Sequence, residues 1–512
     1  MLLAQVVETS SAVAATRSRK VKTAALRALL ALATTDEVEP VVSWLSGVLP
    51  QGRIGVGFRT LTTLKAAPAD HPTLTVTEVD SLVDRIAGVS GSGSTGVRRE
   101  LLSDLFTCAT ADEQVFLVQL LGGELRQGAL EGVMTDAVAA TAELPVDAVR
   151  RAVMLSGQLP RAAAAAFAGG LDALSAFRLE LGRPVRPMLA VPAESVESAL
   201  DEFAGECSVE YKLDGARIQV HRDGDSVWVF TRTLRDITSS VPEVVELVAG
   251  LPCRSVVLDG ETLALNDSGR PRPFQETMSR FGARSTRELL LRPYFFDCLH
   301  LDGVDLLDLP LSERRASLDR VAGAHRVSAV VSPDTAAAHA HLEAALEHGH
   351  EGVMVKSLSS RYLAGRRGHA WQKIKPEHTL DLIVLGAEWG YGRRTGYLSN
   401  LHLGARDPNG GPPIMVGKTF KGLTDELLRW QTTRFPDFES HRDDHTVYLR
   451  PELVVEIELD GVQSSTRYPG GVALRFARVL RYRPDKSPAD ADSIDAVRGL
   501  LPARSTNTAP QE

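Results

Sequence analysis

The sequence predicts a multidomain chain of three unlike parts: an all-α N-terminal part over residues 1–195, an α+β part over 196–380, and a small β-barrel of the OB type over 381–487, followed by a tail at 488–512. Three observations support this. The 512 residues suffice for about two to four domains, with more than one sizeable core. The period of the apolar residues changes along the chain, from helical to mixed to short strand-like runs. The composition, 44% hydrophobic and 24% charged, is that of an ordinary globular protein.

In the first part, Leu and Ala recur at helical spacing from Ala24 to Ala33. Thr77–Ile86, Leu101–Phe106, Val115–Leu121, Met134–Ala142 and Val146–Ser156 have the same period. Gly and Pro punctuate the intervals, strand-like alternation is scarce, and Gly91–Ser94 reads as a loop between helices.

The second part begins with a helix candidate at Val196–Phe203. The run Cys207–Lys212, a turn, and alternating Ile218–His221 read as strand, turn, strand, and Ser226–Phe230 returns as another strand. Lys212 then stands at a strand end, just before a hairpin. Ser255–Leu265, Tyr294–Asp297, Val353–Val355 and Trp371–Lys375 are further strand-type runs, and Val241–Val248, Arg314–Val321 and Ala336–Glu347 are helix candidates.

The third part predicts strands at Leu382–Gly386, Asn400–Leu403, Ile414–Val416, Leu453–Ile457 and Val472–Arg478, with one helix inserted between Lys421 and Thr432. Five short strands and one helix fit a Greek-key barrel of the OB type. After Ser487 there is one weak helix, Asp492–Leu501, and a polar tail.

The net charge is −8, which excludes a surface coated in positive charge. Local patches set phosphate affinity, however. Thr466–Pro484 carries five arginines and no acid, and Arg361–Lys375 carries three arginines and two lysines, again with no acid. The four cysteines form no CxxC pair, so a zinc knuckle is disfavoured and reduced thiols are expected. No apolar run approaches the roughly 18 residues of a membrane span, and the start lacks the pattern of a signal peptide. A cytoplasmic protein is expected.

The strand-type runs share one property: each brings acidic, basic or aromatic groups to its edge. They are Glu210-Tyr211-Lys212-Leu213-Asp214-Gly215-Ala216-Arg217, Asp259-Gly260-Glu261, Phe295-Phe296-Asp297, Glu351 to Lys356, and Lys373-Ile374-Lys375. A lysine nucleophile attacks as the neutral amine, whereas a free lysine of pKa about 10.4 is almost wholly ammonium at pH 7. Burial and nearby cations such as Lys373 and Lys375 favour the neutral form. Taken singly, each residue is more often ordinary: a surface glutamate, a core phenylalanine, a solvated lysine. Their joint occurrence in this order resembles the nucleotidyltransferase superfamily of ATP-dependent DNA ligases, RNA ligases and capping enzymes, whose Lys-x-Asp-Gly motif holds the adenylylated lysine. The resemblance to the three-domain ATP-dependent DNA ligases covers nearly the whole chain.

That resemblance implies that Lys212 takes AMP from the co-substrate ATP and passes it to the 5′-phosphate of nicked double-stranded DNA, so that the 3′-hydroxyl can displace AMP. The setting would be replication, repair or recombination, and the enzyme a monomer. It implies α-phosphate contacts from Lys373 and Lys375, Mg²⁺ ligation by Glu261 and Glu351, with ribose binding as an alternative for Glu261, and adenine stacking on Phe296. Phe295 should face the opposite side of its strand. Arg232 is an ATP contact, Arg217 and Arg367 are phosphate and nick-end contacts, and Glu210 sets adenine recognition, mainly through backbone groups. Gly122–Ala129 resembles the Leu-Arg-x-Gly turn of the family's helical DNA-binding domain, and Arg183–Ala190 the linker out of it. The second part would be the adenylation domain, with antiparallel sheets cradling the nucleotide. Gly470 to Lys486 resembles the sixth motif, in which Arg475 and Lys486 would orient pyrophosphate when the OB domain swings in on a hinge near Pro376–Asp381. Ala477 stands where the family often has proline. The helical part argues against a capping enzyme, the sixth motif against an RNA ligase, the missing Cys cluster against an NAD-dependent ligase, and the intact Lys212, Glu261, Glu351 and Lys373 against a catalytically dead binding protein.

Overall fold

The computed structural model describes residues 1–52, 54–64, 66–125, 131–266, 269–272, 276–277, 290–364, 367–391 and 394–501, without the side chains of Phe58, Arg59 and Arg367. From Leu3 to Ser175 its regular elements are helices. Three of them begin on one local device. Glu37, Glu78 and Glu113 accept from the backbone N–H of Thr34, Thr75 and Thr110 at 3.0, 2.9 and 2.8 Å, which satisfies donors the helix leaves free. Val6, Leu30, Trp44, Val79, Leu117 and Val138 fill one shared core. The turn expected over 122–129 runs into residues 126–130, outside the described residues. No helix among the described residues is long and apolar enough to cross a membrane.

Two five-stranded sheets follow. Their strands are β1 (Leu189–Pro192), β2 (Cys207–Lys212), β3 (Ala216–Asp223), β4 (Ser226–Thr231), β5 (Ser255–Ala264), β6 (Leu291–Leu301), β7 (Val304–Asp305), β8 (Ala329–Val331), β9 (Gly352–Ser357) and β10 (Arg367–Ile374). One sheet runs β1-β10-β9-β2-β8 and the other β4-β3-β5-β6-β7. The pairings are antiparallel except β1 with β10. Residues 189–192, expected among the helices, thus lie in the same sheet as Lys212. Lys212 ends β2, just before a hairpin, as expected. β2 and β3 do not pair, because the turn Leu213–Gly215 carries the chain from one sheet to the other. The hairpin is β3–β4, closed at Asp223 and Ser226.

The linker before β1 is pinned to the second sheet. Gln219 Oε1 accepts from Val185 N at 2.8 Å, and His221 Nδ1 accepts from Gly182 N at 3.2 Å.

The described residues of the rest of the chain hold nine strands, where five were expected: β11 (His378–Trp389), β12 (Leu398–Ala405), β13 (Ile414–Thr419), β14 (Glu439–Arg442), β15 (Thr446–Leu449), β16 (Val454–Leu459), β17 (Gly461–Ser464), β18 (Val472–Arg475) and β19 (Arg478–Tyr482). The long β11 pairs with β16 in its first half and with β15 in its second, while β12 lies on its other side. β17 and β18 form a separate two-stranded ribbon. The single strand expected over Val472–Arg478 is broken, because Phe476 takes a φ of 55°, which no strand accommodates. The weak helix expected near the end is Ile494–Gly499. It is docked: Ile494 and Val497 are buried, and Asp381 N donates to Asp492 Oδ2 at 2.8 Å. The polar tail at 502–512 lies outside the described residues.

Ion pairs tie the parts together. Arg151 grips Asp308 with two bonds of 2.7 Å, and Arg17 meets Asp425 at 2.8 Å.

Candidate active site

A cleft of about 690 Å³ opens where the two sheets meet. Two glycines allow its construction. A Cβ on Gly215 would lie 2.3 Å from Thr262 O, so the turn after Lys212 can press against β5 only with glycine there. Gly352, at φ +145°, passes so close to Ile374 O that a Cβ would stand 2.2 Å from it. The register then does the rest. Lys212 is opposite Gly352, and Glu351 N donates to Lys212 O at 2.9 Å. The Lys212 amine therefore meets the Glu351 carboxylate as an ion pair.

Of the residues expected at the site, Glu210, Lys212, Arg217, Arg232, Glu261, Phe296 and Lys373 line this cleft. Glu261 is opposite Arg217 on β3. Desolvation pushes its carboxyl up to about 7, against the opposing pull of Arg217 and Lys212. Burial, with Lys375 and Lys212 nearby, holds Lys373 below the usual lysine range. Strand alternation puts Phe295 in the core and Phe296 in the cleft wall.

Besides Lys212, Arg217 and Glu210 already have charged partners in the protein. Arg217 holds Asp259 through bonds of 3.1 and 2.6 Å and donates to Met188 O at 2.7 Å. Tyr362 Oη donates to the same Asp259 at 2.6 Å. The buried Glu210 carboxylate accepts from Ser208 and Arg315 at 3.0 Å each and from Lys356 at 2.5 Å, and β2 itself is paired on both sides, with β9 and β8.

Other expected residues are not cleft walls. Lys373 and Lys375 share a strand period, but β10 ends at Ile374, and Lys375 turns away to pair with Asp460. Arg475, on β18, reaches in from outside to Asp214 at 3.2 Å and Glu351 at 3.9 Å. Lys486 is not brought to the site, because it pairs with Asp381 at 2.5 Å beside Arg483 at 3.2 Å. The Arg367 side chain lies outside the described residues.

Sequence reasoning missed Met354, Lys356 and Trp371. Lys356 stands 4.4 Å from the Phe296 ring centre and 4.3 Å from that of Trp371, in cation–π range. The signal was available. Val353 and Val355 are the apolar face of β9, so Met354 and Lys356 share the other; Trp371 likewise precedes Lys373 by one strand period. No cluster of three or more His, Cys, Asp or Glu side chains suited to a metal is found among the described residues.

Three family models match in order: DNA ligase N terminus over residues 56–139, ATP dependent DNA ligase domain over 187–375, and ATP dependent DNA ligase C terminal region over 394–486. A protein named "Probable DNA ligase" from Rhodococcus jostii (strain RHA1) is 72% identical over 98% of this chain and 100% of its own length. The chain belongs to the ATP-dependent DNA ligase family. A second relative of the same printed name, from Nocardia farcinica (strain IFM 10152), is 66% identical over 98% of this chain and 100% of its own. Among solved structures, Pmar-Lig_Pre is 17% identical with a TM-score of 0.62, covering 94% of this chain and 99% of that one, so this ligase shares its three-part fold.

Proposed function

We propose that this ATP-dependent DNA ligase seals 5′-phosphate/3′-hydroxyl nicks in duplex DNA through a lysyl-AMP on Lys212. The observation that carries the reading is the setting of Lys212: an amine paired with Glu351 at a cleft that Lys373, Glu261 and Phe296 line. The amine first gives up a proton, for which Glu351 is the adjacent acceptor. It then attacks the α-phosphorus of ATP; the N–P bond forms and the P–O bond to pyrophosphate breaks. Lys373 and Arg232 neutralise charge on the phosphates, and Phe296 offers a face to the base. A 5′-phosphate oxygen of the nick next attacks the AMP phosphorus and frees Lys212. Finally the 3′-hydroxyl attacks the 5′-phosphorus and AMP departs.

Mg²⁺ takes one or two carboxylates, with phosphate and water completing its shell, and Glu261 and Glu351 fit that need. Bound there, it would neutralise developing phosphate charge. Glu351 would have to leave Lys212 to serve it.

We assign the helical part, 1–195, to DNA binding, 196–380 to adenylation, and 381–487 to an OB-type barrel whose ribbon brings Arg475 to the site. Incubation with α-labelled ATP and Mg²⁺ tests the proposal. Wild-type chain should become covalently labelled, Lys212→Ala should not, and the labelled enzyme should seal a nicked duplex. Label on Lys212→Ala would remove the nucleophile assignment.

A further inference from the structure

At the mouth of the cleft three cations face carboxylates. Lys212 has Glu351, Arg475 has Asp214, and Lys375 has Asp460. The first five belong to motifs already described. Asp460 does not. It lies in the turn between β16 and β17, and its backbone N–H donates to Arg475 O at 3.0 Å. The next residue, Gly461, is the register partner of Arg475. One ribbon therefore carries a cation and an anion into the same mouth. The Lys375 and Asp460 side chains are 20% and 31% exposed, so a competing anion can reach the pair.

A carboxylate resembles a phosphate oxygen in charge and as a hydrogen-bond acceptor. A triphosphate that is to engage Lys375 must first displace it. We propose that Asp460 gates nucleotide entry: it occupies Lys375 until the phosphates of ATP replace it, and so sets the ATP concentration needed for lysyl-AMP formation. Asp460 is thus a positioning residue, acting through Lys375 and not on the reacting atoms. The inference rests on the reading of Lys212 and Lys375 given above. The opposite role is a clasp that keeps the ribbon closed, and it predicts the opposite sign.

The test uses the full chain stripped of bound AMP with pyrophosphate. Initial rates of label transfer from α-labelled ATP give KM and kcat for wild type, Asp460→Asn, Asp460→Ser and Asp460→Glu. Loss of a part-exposed ion pair should lower KM for ATP by about two- to fivefold in the Asn and Ser variants, with kcat unchanged. Asp460→Glu should retain the wild-type KM. Sealing of a pre-adenylylated nick, which bypasses ATP, should be unchanged in all three and shows that they fold. An unchanged or raised KM in Asp460→Asn and Asp460→Ser, or a fall in kcat, overturns the gate. Absence of label on the wild type overturns the ligase reading itself, and the gate with it.

Discussion

The floor and the mouth of the cleft are both built from ion pairs, but of different kinds. The floor pairs, Arg217–Asp259 and Lys356–Glu210, bury their carboxylates to 1% exposure, and each joins neighbouring strands within one of the two central sheets. The mouth pairs, Lys212–Glu351, Arg475–Asp214 and Lys375–Asp460, are 20–31% exposed, and two of them cross to the C-terminal ribbon. Charges out of water are strongly coupled to their partners, and breaking such a pair strands an uncompensated ion. Charges near water exchange partners at little cost. The floor is thus a fixed frame, whereas the mouth holds places that phosphates can take over.

The largest expected effect breaks the mouth chemically. Lys212→Arg keeps the charge but not the nucleophile, and lysyl-AMP formation should fall by roughly 10⁴-fold or more, read as covalent label per enzyme. A variant labelled at even a tenth of the wild-type rate would refute the role of Lys212.

The next breaks the floor. Asp259→Ala leaves the Arg217 guanidinium and Tyr362 hydroxyl without their shared acceptor, and should cost about 3–5 kcal/mol of folding stability in denaturant titrations. Asp214→Asn, at the mouth, should cost less than about 1 kcal/mol. Equal losses in the two variants would erase the distinction between frame and mouth.

Glu261 lies between the two regions and gives the pH dependence. Its carboxyl is raised to about 7, so it is protonated below that pH and becomes a carboxylate above it. If the carboxylate is the working form, the ratio of wild-type to Glu261→Gln labelling rates should rise about tenfold per unit below pH 7 and level off above. Taking the ratio cancels the deprotonation of the lysine, which both enzymes share. A ratio constant from pH 6 to 8 would show that Glu261 does not act as a carboxylate.

Local rules made much of the site legible. Alternation along β6 separates Phe296 from Phe295, and the same rule applied to β9 and β10 would have found Lys356 and Trp371. Three Thr-x-x-Glu boxes were readable helix starts that went unused. The short strands β14, β15 and β17 were not legible, since four-residue strands carry too little pattern to stand out.

By itself, the order of the motifs along the chain determined the family and the three-part plan and singled out Lys212 as the proposed nucleophile, because these depend on residue type and short spacing. Tertiary structure alone decided that the turn after Lys212 crosses between sheets, that Lys375 turns to Asp460, and that Lys486 goes to Asp381. Each depends on which opposite charge, dozens of residues away, the folded backbone carries within a few ångströms. Coulomb attraction falls with that distance and with the water between the charges, and neither quantity is written in the local sequence.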